Sequence, residues 1–236
     1  MNRNGNGNGI DGLIALNVEH SRLFCSPGMA LARRRYRAEH PTEIGVLKCM
    51  DGRLNLPLIT NTALGIIQPW RNIAGRFDLG WIAFQQSMLE WTSYAIRRGR
   101  SCLVLVTYHY SNSSDHRGCA GFKYDTQAAK AFAAKLTDDF REVFGSTVVY
   151  PIQIGVETDL DALILHGEKG EVVNLSEFFD TSEDGVARLL SRLYPSMPPQ
   201  IRRDFAPLVI GNIGHVADIR MQQRPLTDAE HQEHVI

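Results

Sequence analysis

Short apolar runs alternate with longer amphipathic segments along this chain. That alternation confines it to an α/β architecture with a largely parallel sheet flanked by helices. The strongest run is 101–110 (SCLVLVTYHY), a strand by length and β-branched content. Residues 44–49 (IGVLKC), 65–68, 148–156 and 162–166 read as further strands. Ser26-Pro27 is an N-cap followed by a first-turn proline, so a helix is expected over 27–40, stopped by Pro41. Residues 81–100 place Phe84, Met88, Trp91, Tyr94, Ala95 and Ile96 at helical spacing. Helices are also expected over 125–144 and 183–194.

The chain's 236 residues suffice for one domain with a real core. The Asn/Gly-rich start, 1–12, reads as a flexible tail, 13–222 as a single domain, and 223–236 as a polar tail. A net charge of −1 argues against a broad nucleic-acid surface. The basic residues Arg33, Arg34, Arg35 and Arg37 then belong to a solvated or subunit-facing helix. No apolar run approaches the roughly 20 residues that span a bilayer, and MNRNGNGNGI lacks a signal peptide's apolar core. A cytoplasmic protein is expected. Its 4 cysteines are too few for a disulfide scaffold.

Parallel sheets gather ligands beyond the carboxyl ends of their strands. Cys49 closes the first run and His109 lies at the end of the strongest. Cys119 follows a polar loop, inside Gly118-Cys119-Ala120-Gly121. Two thiolates and an imidazole suit zinc, and three protein ligands leave the fourth tetrahedral position open, as in catalytic sites. His116 is the alternative to His109. A strand end holds an imidazole more rigidly than a polar loop does, which favours His109. Asp51 and Arg53, just beyond Cys49, can pair on one turn. An arginine-bound carboxylate stays ionised and can orient a water or hydroxide at the metal. Cys25 and Cys102 are expected in the core. His231 and His234 are read as surface residues, and Gly211-Asn212-Ile213-Gly214 is too short for a dinucleotide fingerprint.

These residues also carry a resemblance. Cys49-Met50-Asp51-Gly52-Arg53 resembles the Cys-x-Asp-Ser-Arg motif of β-class carbonic anhydrases, with Gly52 in place of Ser. Arg71-Asn72-Ile73-Ala74-Gly75 resembles their Arg-Asn-Ala-Gly segment, with Ile73 added. The usual His-x-x-Cys is opened here. TYHYSNSSDHRGCAG and IGVETDLDALILHG are similar to the carboxysome shell branch of that family, over about residues 44–170.

The resemblance implies a β-carbonic-anhydrase-like fold and reversible hydration of carbon dioxide to bicarbonate. It implies zinc on Cys49, His109 and Cys119, with Asp51 and Arg53 as the catalytic pair. In some β-class enzymes the motif Asp leaves its Arg to ligate zinc, and Asp51 is placed to do the same. Relatives on this fold hydrolyse carbon disulfide or carbonyl sulfide, and a non-catalytic zinc-binding scaffold is a third reading. The given sequence is shorter than the shell enzymes, and counterparts of their long N-terminal region and degenerate second catalytic-like domain are not expected in it. A homodimer or a multiple of it is therefore expected, the 27–40 helix packing on the partner. Carboxysome proteins are further candidate partners, and the carboxysome a candidate location.

Overall fold

Strand-forming runs dominate the middle of the chain, and the computed structural model, which describes residues 9–223, pairs them into one six-stranded sheet. The chain enters through two helices, α1 (Gly9–Cys25) and α2 (Pro27–Glu39). Strand β1 (Glu43–Cys49), the single-turn α3 (Leu56–Ile59) and β2 (Ile67–Asn72) follow. Then come α4 (Ile82–Arg97), β3 (Cys102–Tyr110), α5 (Thr126–Phe144) and β4 (Val149–Glu157). The described residues close with β5 (Ala162–His166), β6 (Val172–Asn174), α6 (Glu183–Leu193) and α7 (Pro199–Gln222).

The strand order is β2-β1-β3-β4-β5-β6. The first four strands are parallel, while β5 and β6 pair antiparallel at one side. This is the α/β architecture expected of alternating strands and helices. Alternation along β3 divides its side chains between two cores. Leu103 and Leu105 join the core built with α6 and α7, through Leu190, Phe205 and Leu208. Cys102, Val104, Val106 and Tyr108 join the core built with α4 and α5, through Met88, Ala133 and Phe140. Both faces are covered, which is why β1, β3 and β4 read as continuous apolar runs.

Several expectations need correction. Residues 9–12, expected within a flexible tail over 1–12, instead open helix α1, which starts at Gly9; residues 1–8 lie outside the described part. Ile10, Leu13 and Ile14 carried helical spacing, and Asp11 in the first turn suits the helix dipole. The Asn/Gly content nearby masked that signal. Cys25 is exposed at the end of α1 rather than buried, whereas Cys102 is buried as expected. The second strand runs over Ile67–Asn72, later and longer than 65–68, because it pairs with all of β1 from Ile44 to Cys49. The expected helix at 27–40 forms as α2, with Ser26 Oγ accepting from the Met29 amide at 3.3 Å. His231, His234 and most of the 223–236 tail lie outside the described residues.

Helix α7 has no clear signature in the sequence. Pro207, Gly211 and Gly214 inside it are residues that weaken a helical pattern. A Cβ at Gly211 would stand 2.0 Å from the Thr60 carbonyl oxygen, so this glycine lets α7 meet the end of α3. The next residue, Asn212, is fully buried. Its amide donates to the carbonyls of Ile59 at 2.9 Å and Asp161 at 2.8 Å, and its oxygen accepts from the Leu163 amide at 2.9 Å. One side chain thus ties α7 to α3 and to the β4–β5 turn. Asn212→Ala strands those backbone groups out of water and should lower the unfolding free energy by about 2–4 kcal/mol, read from denaturant titration.

Candidate metal centre

The parallel pairing of β1 with β3 brings the carboxyl ends of two neighbouring strands together. Cys49 is the last residue of β1, and His109 the second-last of β3. His109 shares strand parity with Leu103 and Leu105, which turns its ring to the same side of the sheet. Cys119 caps the turn Ala120–Phe122 after the polar loop. Cys49, His109 and Cys119 are all buried, and their ligand-type atoms lie within 4.8 Å of one another. The three sequence candidates therefore meet in space. His116 does not join them. It is exposed and packs edge-on against Tyr124, with ring centroids 5.1 Å apart.

Close backbone approach shapes this corner. A Cβ at Gly121 would lie 2.5 Å from the Cβ of Ala74, so the turn after Cys119 can press on the Ile73–Gly75 turn after β2. Ala74 holds a left-handed φ of 59° there. The Arg71-Asn72-Ile73-Ala74-Gly75 segment thus serves as the floor against which the Cys119 turn seats.

Asp51 and Arg53 pair as expected. Arg53 Nε lies 3.1 Å from each Asp51 oxygen, Nη2 donates to Oδ2 at 2.5 Å, and the Arg53 amide donates to Oδ1 at 2.9 Å. Burial pushes the Asp51 carboxyl up, but the hydrogen bonds and the charge of Arg53, with the His109 ring nearby, outweigh it. The group is held below the ordinary carboxylate range. Asp51 Oδ2 also stands 3.9 Å from His109 Nδ1, so the pair faces the three ligands. Arg53 Nη1 donates to the Arg117 carbonyl at 2.7 Å, which clips the β1 turn to the loop carrying Cys119.

Two participants escaped the sequence reading. Lys48 is buried, donating to the carbonyls of Cys49 at 3.3 Å and Asp51 at 3.4 Å. Burial, with the nearby Arg71 charge, pushes its ammonium down to about 8. A lysine inside an otherwise apolar run was the available signal. Asp159, in the β4–β5 turn, receives hydrogen bonds from the polar loop. It is far from that loop in sequence, and only the β3–β4 pairing brings the two together.

Does this corner suit a metal? Neither His109 ring nitrogen has a hydrogen-bond partner, although the ring is buried. Buried polar atoms are rarely left so. An imidazole without a hydrogen-bond partner beside two buried thiols is a donor set that fits zinc, three ligands of the four that tetrahedral zinc takes.

A family model described as the catalytic domain of the carboxysome shell carbonic anhydrase matches residues 40–186, more than half of the chain. This chain belongs to that family. Its relatives are carbonic anhydrases, which are lyases, and the matched span holds all of the residues just described. Among solved structures, the β-carbonic anhydrase CcaA is similar at 12% identity, covering 69% of this chain and 92% of its own, with a TM-score of 0.47. The β-carbonic anhydrase CafA of Aspergillus fumigatus is similar at 12% identity over 79% of this chain and 99% of its own, TM-score 0.42. A tetrameric β-carbonic anhydrase of Sordaria macrospora is similar at 10% identity over 71% and 93%, TM-score 0.36. Among curated proteins, none matches by sequence.

Proposed function

We propose that this chain is a zinc-dependent carbonic anhydrase that interconverts carbon dioxide and bicarbonate. The observation that carries the reading is the buried, unbonded His109 imidazole set between Cys49 and Cys119, beside an arginine-held carboxylate. Cys49, His109 and Cys119 would hold the metal. Zinc bound there would supply hydroxide near neutral pH by lowering the pKa of water toward about 7.

The chain's own groups do the rest. Asp51, ionised through Arg53, accepts a hydrogen bond from the attacking O–H and turns the oxygen lone pair toward the carbon of carbon dioxide. Arg53 holds that carboxylate and fixes its angle by two-pronged contact, and would so keep it from ligating a bound metal. Water and carbon dioxide become bicarbonate and one proton, which leaves to solvent. Family membership supports work within a carboxysome, with proteins of that compartment as neighbours.

Metal analysis combined with stopped-flow carbon dioxide hydration tests this. Expected are about one zinc per chain and measurable hydration. His109→Ala should lose most of its zinc while His116→Ala keeps it. Arg53→Ala should keep zinc and lose at least tenfold in rate, a barrier rise of about 1.4 kcal/mol. Zinc without hydration would point to a scaffold, and carbonyl sulfide hydrolysis without hydration to the sulfur reading. Equal zinc loss in both histidine variants would overturn the choice of His109.

A second copy of this chain is the partner we assign. Helix α2 has no buried residue, and Leu13, Ile14, Leu16, Leu23 and Leu31 are exposed across α1 and α2. A cleft of about 760 Å³, bordered by Phe24, Leu56, Leu64 and Ile67, lies beside α1. So much apolar surface marks an interface. Light scattering should give a dimer or a multiple of it, and Leu13→Glu with Leu31→Glu should shift the mass toward one chain. An active parent that is strictly monomeric contradicts this assignment.

A further inference from the structure

Residues 110–118 separate His109 from Cys119, and this stretch contributes little to either core. Ser111, Asn112, Ser113 and Ser114 have no apolar side chain with which to anchor it. A metal ligand at the far end of such a loop needs the loop held by other means. The Asp159 carboxylate does the holding. Ser111 Oγ and Ser113 Oγ donate to Oδ1 at 2.7 and 2.9 Å. The amides of Asn112 and Ser113 donate to Oδ2 at 2.9 and 2.8 Å. Arg117 Nε stands 4.0 Å from Oδ1.

Asp159 is itself fixed. Its amide donates to Glu157 Oε1 at 2.8 Å, and the Thr158 amide donates to the Tyr110 carbonyl at 2.9 Å, carrying the β3–β4 pairing past His109. From the carboxylate the contacts run on toward the reacting end. The Ser114 amide donates to Ser111 Oγ at 3.3 Å, and the Arg117 amide to the Ser114 carbonyl at 3.0 Å. The Arg117 carbonyl then receives Arg53 Nη1.

We infer that Asp159 is a positioning residue for the metal centre: by fastening the loop between His109 and Cys119 it sets where Cys119 and the Asp51–Arg53 pair stand. This rests on the metal reading proposed above. Loss of the carboxylate removes the acceptor shared by two hydroxyls and two amides of the loop and leaves only contacts within the loop, Ser113 amide to Ser111 Oγ at 3.2 Å and Ser111 Oγ to Ser113 Oγ at 3.1 Å, so the loop is no longer tied to the β4–β5 turn and both ends of its contact chain loosen with it. The effect falls on ligand placement and on Arg53, not on the cores.

Cobalt(II) titration of the full chain tests this, because thiolate-to-cobalt absorption reports ligation by cysteine independently of turnover. In Asp159→Ala we expect at least tenfold weaker cobalt binding, weaker thiolate absorption, and a kcat at least tenfold lower with KM little changed. Asp180→Ala is the control: it removes another serine-bound carboxylate, which accepts from the Ser182 amide and hydroxyl on an exposed loop, and it should match the parent. The double variant Ser111→Ala with Ser113→Ala removes donors but leaves the β4–β5 turn intact. It should move in the same direction as Asp159→Ala, and it decides the matter if that variant does not fold. Parent-like cobalt affinity and spectrum in Asp159→Ala, or in the double serine variant where Asp159→Ala fails to fold, would overturn the role of Asp159. A parent that binds no cobalt or zinc overturns the metal reading itself, and the role of Asp159 with it.

Discussion

An imidazole buried without a hydrogen bond on either nitrogen is unfavourable unless something else takes its lone pair. His109 is such a ring. The surrounding structure makes sense around it: parallel pairing of β1 and β3 sets Cys49 beside it, and the turn at Ala120–Phe122 brings Cys119. A backbone ladder is the stiffest support a chain offers, and two of the three ligand-type side chains stand on ladder residues. The third stands on a loop and needs help from elsewhere.

That help comes from charge and hydrogen bonding, since the loop has little apolar surface of its own. Arg53 joins Asp51 on one side to the Arg117 carbonyl on the other, so a single guanidinium spans the β1 turn and the loop. The planar fork of arginine suits this double duty, which a lysine ammonium would perform with less directional control. Asp159 grips the same loop from the β4–β5 turn. Burial matters to the electrostatics. The Arg53 and Asp51 side chains are only 8% and 4% exposed, so their pairing is less screened than a surface ion pair, and the carboxylate stays charged where its charge is useful.

The sheet does two jobs at once. Its two covered faces supply the cores that hold the parallel strands in register, and its carboxyl edge collects the chemistry. The antiparallel β5 and β6 extend the sheet away from the candidate site and give α6 and α7 a surface to cover. At the entrance to the chain, α1 and α2 leave apolar side chains exposed, in contrast to the well-covered sheet. That contrast supports a second copy as the element that covers them.

The sequence by itself determined the alternation of elements, the run of β3, the helices over residues 81–100 and 125–144, and the identity of the ligand-type residues. These are local properties: apolar period, capping residues, and short motifs such as Cys49 to Arg53 all act within a few positions. Helix α1 was hidden because its first turn adjoins a Gly/Asn-rich stretch, and α7 because Pro207 and two glycines interrupt its pattern. The sequence favoured His109 over His116 by its place at a strand end, and the tertiary structure then brought His109 together with Cys49 and Cys119 through strand pairing between segments far apart in the chain. Only the tertiary structure decided that Asp159 meets the Ser111–Ser113 loop, that Lys48 lies under the Cys49 turn, and that Gly121 abuts Ala74. Such contacts follow from packing and backbone register, for which a single strand carries no code of its own.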